Sequence, residues 1–186
     1  DKSKKILLSL IKNYNVKNYT FLGVSSEKSL VKCRNLAVQF VLRKAEKNDF
    51  LAFCDSDDWW HPMWLRSLIS KNNFSRDIIY CQGYMHLPKK KIFFNSSYQY
   101  PRLLYWHSIG LGTMIIKIKF LRKHFKKKIF DEYCKIVYDT EFLVAAYGKA
   151  RVYNINKRYF NYNRTNISTS SNVIQVIKEW EHIRLK

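Results

Sequence analysis

The stretch Asp49-Phe50-Leu51-Ala52-Phe53-Cys54-Asp55-Ser56-Asp57-Asp58-Trp59-Trp60-His61-Pro62 constrains this chain more than any other. Phe50 to Cys54 is an unbroken apolar run bounded by polar residues, the pattern of a strand buried on both faces. It ends in three carboxylates within four positions, Asp55, Asp57 and Asp58. Like charges this close persist where they are solvated, cap a helix or face a cation. A hard divalent ion that prefers oxygen ligands, Mg²⁺ or Mn²⁺, suits such a set. The same residues also read as a turn and N-cap, because Pro62 suits a first helical turn and Met63–Ile69 has helical spacing. Position favours a site, since ligands of open α/β sheets collect at the carboxyl ends of strands.

Around that stretch the chain alternates. Ile6, Leu7, Leu10 and Ile11 predict an amphipathic helix over Lys2–Tyr14 with a lysine-rich outer face. Tyr19–Val24 reads as a strand, Ser29–Lys47 as a helix and Phe50–Cys54 as the next strand, the order of a wound α/β sheet. Beyond the acids, Met63–Lys71 reads as a helix, Asp77–Met85 as a strand and Lys89-Lys90-Lys91 as a basic turn before Ile92–Asn95. Ser97–Tyr105 is irregular and aromatic, and Leu111–Ile118 is a strand entered through Gly110 and Gly112. Phe120–Lys128 is a basic helix or turn, and Tyr138–Tyr147 a helix closed by Gly148. Ala150–Asn156 and Arg158–Asn163 read as two strands, Asn166–Asn172 as a polar linker and Val173–Lys186 as an amphipathic helix.

Composition adds limits. With 186 residues, 47% hydrophobic and 16% aromatic, the chain suits one folded domain with a short extension. It has no apolar run of transmembrane length and no signal-peptide layout, which reads as cytoplasmic. Cys33, Cys54, Cys81 and Cys134 lack paired spacing and read as small buried hydrophobes of a reducing compartment. The histidines share no ligand spacing either. A net charge of +20 implies an anionic partner: nucleic acid, a phosphorylated substrate or the anionic face of a membrane.

Several blocks resemble a known family. Cys33-Arg34-Asn35-Leu36-Ala37, followed by Phe53-Cys54-Asp55-Ser56-Asp57-Asp58-Trp59-Trp60-His61-Pro62-Met63-Trp64-Leu65, resembles the "A-R-N-x-G/A … L-D-S-D-D-x-W-x-P-x-x-L" pattern of family 2 glycosyltransferases with the GT-A fold. Ile109–Lys117 is similar to the family's strand lining the acceptor and sugar pocket, and Tyr138–Leu143 to its "E-D-x-E/D-L" segment. Tyr162-Asn163-Arg164 with Ser168 resembles its "Y-R … S-x-S". The resemblance implies an α/β, GT-A-like (Rossmann-like) mixed sheet flanked by helices, over residues 1–171, with 172–186 as a C-terminal amphipathic helix. The family's opening strands and their "D-D-G-S-x-D" motif have no counterpart ahead of Asp1, so the fold is expected to be truncated at its N-terminus and weakly stable by itself.

The chemistry implied is inverting transfer of a sugar from a nucleotide-sugar donor, UDP-linked, to a glycan or lipid-linked acceptor, with Mn²⁺ or Mg²⁺ on the leaving diphosphate. By the resemblance Asp57 is the direct metal ligand and Asp55 touches ribose or metal. Arg34, Asn35 and Asp58 join them around the nucleotide sugar, although Arg34 also reads as a solvated helix residue. Asp139 occupies the position of the family's general base and equally that of a helix N-cap, with Glu141 next in line. Trp60, Gly110, Gly112, Thr113 and Glu141 are expected around the acceptor and sugar pocket. Trp59, Trp60 and Trp64 read either as sugar-stacking rings or as core, and the two glycines either as close-approach points or as a turn. Lysine, asparagine and isoleucine usage suggests an AT-rich bacterial genome, hence surface polysaccharide or lipooligosaccharide synthesis. The basic run Lys117 to Lys128 suits peripheral docking on the anionic inner membrane. The rival readings are a basic nucleic-acid-binding module, for which no motif is found, and a non-catalytic glycosyltransferase relative.

Overall fold

The computed structural model describes residues 3–22, 29–70, 73–94, 98–100, 102–104, 109–126, 128–164 and 172–186. Its centre is β3 (Ile78–Leu87), whose first residues Ile78, Ile79, Tyr80 and Cys81 are all buried, so both faces of the sheet are covered there. Parallel to it runs β6 (Val152–Asn163); on its other side lie β5 (Met114–Lys117) and, further along, β4 (Lys90–Phe94), both antiparallel. The outer strands β1 (Phe50–Ala52) and β2 (Trp59–Trp60) pair with β5 and β6. Among the described residues this makes a six-stranded mixed sheet in the order β1-β5-β3-β6-β2, with β4 on β3.

Helices cover the two faces unequally. The larger core takes Ile78, Tyr80, Met114 and Ile116 from the sheet and packs them against α2 (Leu30–Lys44), α4 (Ile118–His124), α5 (Tyr138–Ala146) and α6 (Val173–Arg184). The opposite face carries Ile79, Cys81, Ile115 and Phe160 under α3 (Trp64–Leu68), whose Trp64 and Leu68 are buried. Alternate residues of β3 therefore enter different cores, as the period of two requires.

Several expectations need correcting. β1 stops at Ala52 and is only half-buried apart from Leu51, because it lies at the end of the sheet with β5 as its one partner among the described residues. Tyr19–Leu22 forms no strand: no described strand offers it a ladder, and Tyr19, Phe21 and Leu22 remain exposed. Helix α1 (Ser3–Asn13) forms as its spacing predicts, yet Ile6, Leu7 and Leu10 stay exposed. Leu111–Thr113 is a 3₁₀ turn and the strand begins only at Met114, while Ile118 already belongs to α4. The two strands expected at 150–163 are one, interrupted by a bulge: Tyr80 faces Asn154, but Gln82 faces Arg158. Asn156, inside the bulge, takes a positive φ of 50°, which an Asn tolerates, and its Oδ1 accepts from Gln82 Nε2 at 3.0 Å. Most of the expected linker at 166–172 lies outside the described residues, as does Ser168.

One acid has an unexpected role in this packing. Glu179 sits on the apolar stripe of α6 between Val176 and Trp180 and is 0% exposed. Its carboxylate accepts the backbone N–H groups of Lys135, Ile136 and Val137 at 2.7, 2.8 and 2.9 Å, and Gln175 Nε2 at 2.7 Å. Val137, the N-cap of α5, has no side-chain cap of its own, so α6 supplies the negative charge that the start of α5 favours. Glu179→Ala is expected to leave three backbone donors, that of Val137 buried, without their acceptor and to lower stability by about 3 kcal/mol. The measurement is a fall in the urea midpoint at constant m; Glu181→Ala, on the exposed face of the same helix, should change it by no more than about 0.5 kcal/mol.

Candidate active site

The chain leaves β1 through Phe53 and Cys54 and turns at once, Asp58 N–H donating to the Asp55 carbonyl at 3.1 Å. The turn places Asp55 against α2, with Asp57 and Asp58 following it in sequence. From that helix Arg34 donates through Nη2 to Asp55 Oδ1; the guanidinium side chain is 9% exposed and the carboxylate 52%. The guanidinium also lies over the Tyr138 ring, 5.0 Å from its centre, so one buried cation ties the acid turn to the start of α5. Its Nη1 is buried and has no hydrogen-bond partner among the described residues.

The acids differ in setting. Asp57 is exposed, whereas Asp58 is half-buried and accepts the Asn163 N–H at 3.1 Å. Burial, with Asp57 and Asp55 beside it, pushes the Asp58 carboxyl up to about 6 against the opposing pull of the Asn163 N–H and Arg34. The Cys54 thiol is raised in the same way, by burial and then by Asp58, Asp55 and Asp57. Contrary to the expected buried hydrophobe, Cys54 is exposed, because the chain has already left the sheet. The donors of this set are carboxylate oxygens, the type that a hard divalent cation takes. Among the described residues no three acidic, histidine or cysteine side chains converge, so Asp55 and Asp57 would supply two ligands and leave room for phosphate and water.

The residues expected around the acids divide into two sets. An open cavity of about 310 Å³ joins Arg34 and Asp55 to Cys33, Ala37, Phe53 and Cys54. Asn35, expected at the nucleotide sugar, has its side chain engaged elsewhere: Oδ1 accepts from the N–H groups of Ile129 and Phe130 at 3.2 and 3.0 Å, and Nδ2 donates to the Phe130 carbonyl at 2.9 Å. Asp139 is buried in the first turn of α5, one residue after the Tyr138 that Arg34 covers, and its Oδ1 accepts the Thr140 N–H at 2.8 Å. The helix begins at Tyr138 with Val137 as its N-cap, so Asp139 is inside the helix and is not the cap residue.

Glu141, the next acid along, faces away toward the chain's C-terminal end. It accepts from Lys186 Nζ at 3.0 Å and from the Asp131 N–H at 3.4 Å. Asp131 in turn accepts from Lys186 Nζ and from His182 at 2.9 Å. Burial would raise the Asp131 carboxyl, but these partners and the Tyr133 N–H outweigh it and hold it well below the usual carboxylate range.

Trp60 stacks on Trp64 with ring centres 4.0 Å apart, and its Nε1 donates to the Gly112 carbonyl at 2.8 Å. A Cβ on Gly112 would come within 2.4 Å of the Phe160 ring, so that glycine answers to packing, while Gly110 faces open space. Thr113 is fully buried, its hydroxyl donating to the Gly110 carbonyl at 2.7 Å.

Sequence reasoning missed Asp131 and Glu179. For Glu179 a signal existed: an acid on the apolar stripe of a helix in a chain with so few acids.

The model of the family described as glycosyl transferase family 2 matches residues 1–138. No curated protein matches the sequence. Among solved structures, S. aureus TarS 1-349 in complex with UDP-GlcNAc is similar at a TM-score of 0.63 and 21% identity, over 93% of this chain and 49% of that one. The S. aureus TarS structure that is covered over 29% of its chain gives a TM-score of 0.56 at 20% identity over 88% of this chain. The chain thus spans about half the length of TarS 1-349, and at such identity the likeness is one of fold: a mixed sheet flanked by helices, GT-A-like.

Asp58 gives the site a testable pH signature. Its folded value near 6 lies above the about 3.9 of an unfolded Asp, so the native state holds the proton more tightly. The stabilisation is present below the unfolded value and is lost as pH rises through about 6. Compared with Asp58→Asn, which cannot titrate but can still accept from Asn163, the wild-type protein should lose stability between about pH 4 and pH 7. Urea midpoints across that range check it; parallel profiles for the two proteins would mean that Asp58 titrates as an ordinary surface carboxylate.

Proposed function

The chain belongs to glycosyl transferase family 2, and we propose that it moves a sugar from a UDP-linked donor to a hydroxyl of a glycan or lipid-linked acceptor, with inversion at the anomeric carbon. The observation that carries the reading is the acid turn at the end of β1, clasped by a buried guanidinium that has one nitrogen without a hydrogen-bond partner among the described residues. TarS, the structural neighbour of similar fold, was solved with UDP-GlcNAc, which supports a uridine nucleotide as donor.

Asp57 and Asp55 would hold Mn²⁺ or Mg²⁺. Such an ion, when bound, neutralises charge on the departing diphosphate as a Lewis acid. Arg34 fixes Asp55 and keeps a permanent positive charge beside the turn, which would offset charge on the diphosphate. Asp58, partly protonated near pH 6, stands next to both acids and adjusts the charge of the turn. Asp139 accepts the proton of the acceptor hydroxyl as the new C–O bond forms and the bond to diphosphate breaks. Its burial at the start of α5 keeps bulk water from that proton. No helix among the described residues is long and apolar enough to cross a membrane. Lys119, Lys123, Lys126 and Lys128 form an exposed basic surface that would rest on anionic lipid at the cytoplasmic face of the inner membrane, where surface polysaccharide or lipooligosaccharide precursors are assembled.

Hydrolysis of UDP-GlcNAc with Mn²⁺ tests the assignment. Asp57→Ala should cut turnover by about 10²-fold or more and abolish the rise in melting temperature that Mn²⁺ gives the unaltered protein. Asp139→Asn should lower acceptor-dependent turnover by about 10²–10⁴-fold while UDP binding is kept. Equal rates and equal Mn²⁺ shifts in wild type and Asp57→Ala would remove the acid turn from the mechanism.

A further inference from the structure

Beyond the acid turn, β2, β6, β3 and β4 present one continuous face. The register sets Trp59 beside Asn161, Asn161 beside Tyr84 and Tyr84 beside Phe93; the next row runs from Asn163 through His86 to Lys91. Four strands at the usual spacing make a row about 14 Å wide. The opposite side of these strands is occupied, because Trp60, Phe94 and Phe160 pack into the smaller core. This side is open, with Trp59 45% and Phe93 39% exposed.

The face is aromatic and polar together. Trp59 and His86 lie ring on ring at 4.7 Å, and His86 Nε2 meets Asn161 Oδ1 at 2.9 Å. Its outer side is cationic: Lys91 Nζ lies 3.8 Å from the centre of the Tyr84 ring, and Arg158 lies 4.3 Å from that of Phe93 while donating to the Tyr84 hydroxyl at 3.3 Å. These two cations rest on rings, with no carboxylate paired to them among the described residues. The sequence holds no Asp or Glu anywhere between Asp77 and Asp131 or between Glu141 and Glu179, so β3, β4 and β6 carry no negative charge at all. At the inner side the Asn163 N–H holds Asp58. The face therefore grades from cations, through rings and amides, to the acid turn.

We propose that this face is a docking platform for an anionic glycan, a sugar chain carrying acidic groups, laid across the strands so that a neutral sugar hydroxyl reaches the acid turn; the inference rests on the transferase reading above and names its acceptor class. Flat rings stack on the apolar faces of sugars, amides and imidazole pair with hydroxyls, and Lys91 and Arg158 meet the acidic groups. A lipid surface fits less well, because it would take water from a strip of amide, imidazole and phenol groups whose mutual bonds use only part of their hydrogen-bonding capacity. A nucleic acid, with a phosphate at every residue, would carry charge into the acids.

The test measures binding by tryptophan fluorescence to oligogalacturonate, neutral dextran of equal length, polyphosphate and phosphatidylglycerol vesicles, with no donor present. Oligogalacturonate should bind at least about ten-fold tighter than dextran or polyphosphate, through stacking and charge acting together. Phe93→Ala and Arg158→Glu should each weaken it about ten-fold while UDP-GlcNAc hydrolysis stays at the wild-type rate. Lys91→Glu gives the same comparison should Phe93→Ala lower the melting temperature. Unchanged affinity in the variants, or polyphosphate or vesicles binding as tightly as the glycan, overturns the proposal. Loss of donor hydrolysis in the unaltered protein, with selective glycan binding intact, would count against the transferase reading alone.

Discussion

Carboxylates that leave a strand together repel one another, and the candidate site is organised by the single buried guanidinium that answers that repulsion. Arg34 reaches Asp55 from α2 and covers Tyr138 of α5, so a helix before the acid turn and a helix far beyond it in sequence are fixed to the same point. One cation cannot neutralise three acids. Burial raises the Asp58 carboxyl first, and the neighbouring Asp57 and Asp55 add to it.

Acids are scarce here, 14 against 34 basic residues, which makes the use of each one informative. Asp77 accepts from Arg151 at 3.0 Å, bracing the start of β3 against the residue before β6. Asp131 and Glu141 receive His182 and Lys186 and so fasten the end of α6. Glu179 caps α5 from inside the core. In the turn, Asp55 receives Arg34 and Asp58 receives the Asn163 N–H, while Asp57 stands exposed. The acids that fasten one element to another thus differ in setting from Asp57.

The same contrast explains what could be read from the sequence. The sequence pattern found α1, α2, α5, α6 and β3 because each carries apolar residues in a local pattern, and the acid motif marks a candidate site because its spacing is local. What failed was everything that depends on a distant partner. Tyr19–Leu22 has the composition of a strand but no strand among the described residues to pair with, the rest of the expected Tyr19–Val24 lying outside them, and β1, with one partner, is shorter and more exposed than its apolar run implies. The bulge at Asn156 divides β6 into two pieces for any reading based on alternation, although β3 spans both. Asn35 belongs to the motif Cys33–Ala37, yet its amide answers to the backbone at Ile129 and Phe130, a contact ninety-five residues away that no local pattern announces.

The dependence of Asp139 on α6 follows from these distant contacts. Asp139 is the second residue of α5, and the segment entering that helix is held by three N–H bonds to Glu179. Glu179 is in turn placed by Trp180 and Ile183, which bury the same face of α6 in the larger core. The C-terminal helix is therefore part of the apparatus that fixes where the candidate base stands relative to Arg34. A proton acceptor must lie within hydrogen-bond reach of the hydroxyl it serves, and a shift of about 1 Å is enough to spoil a step of this kind. An acid buried on a helix outside the matched family segment thus sets where the proposed base stands.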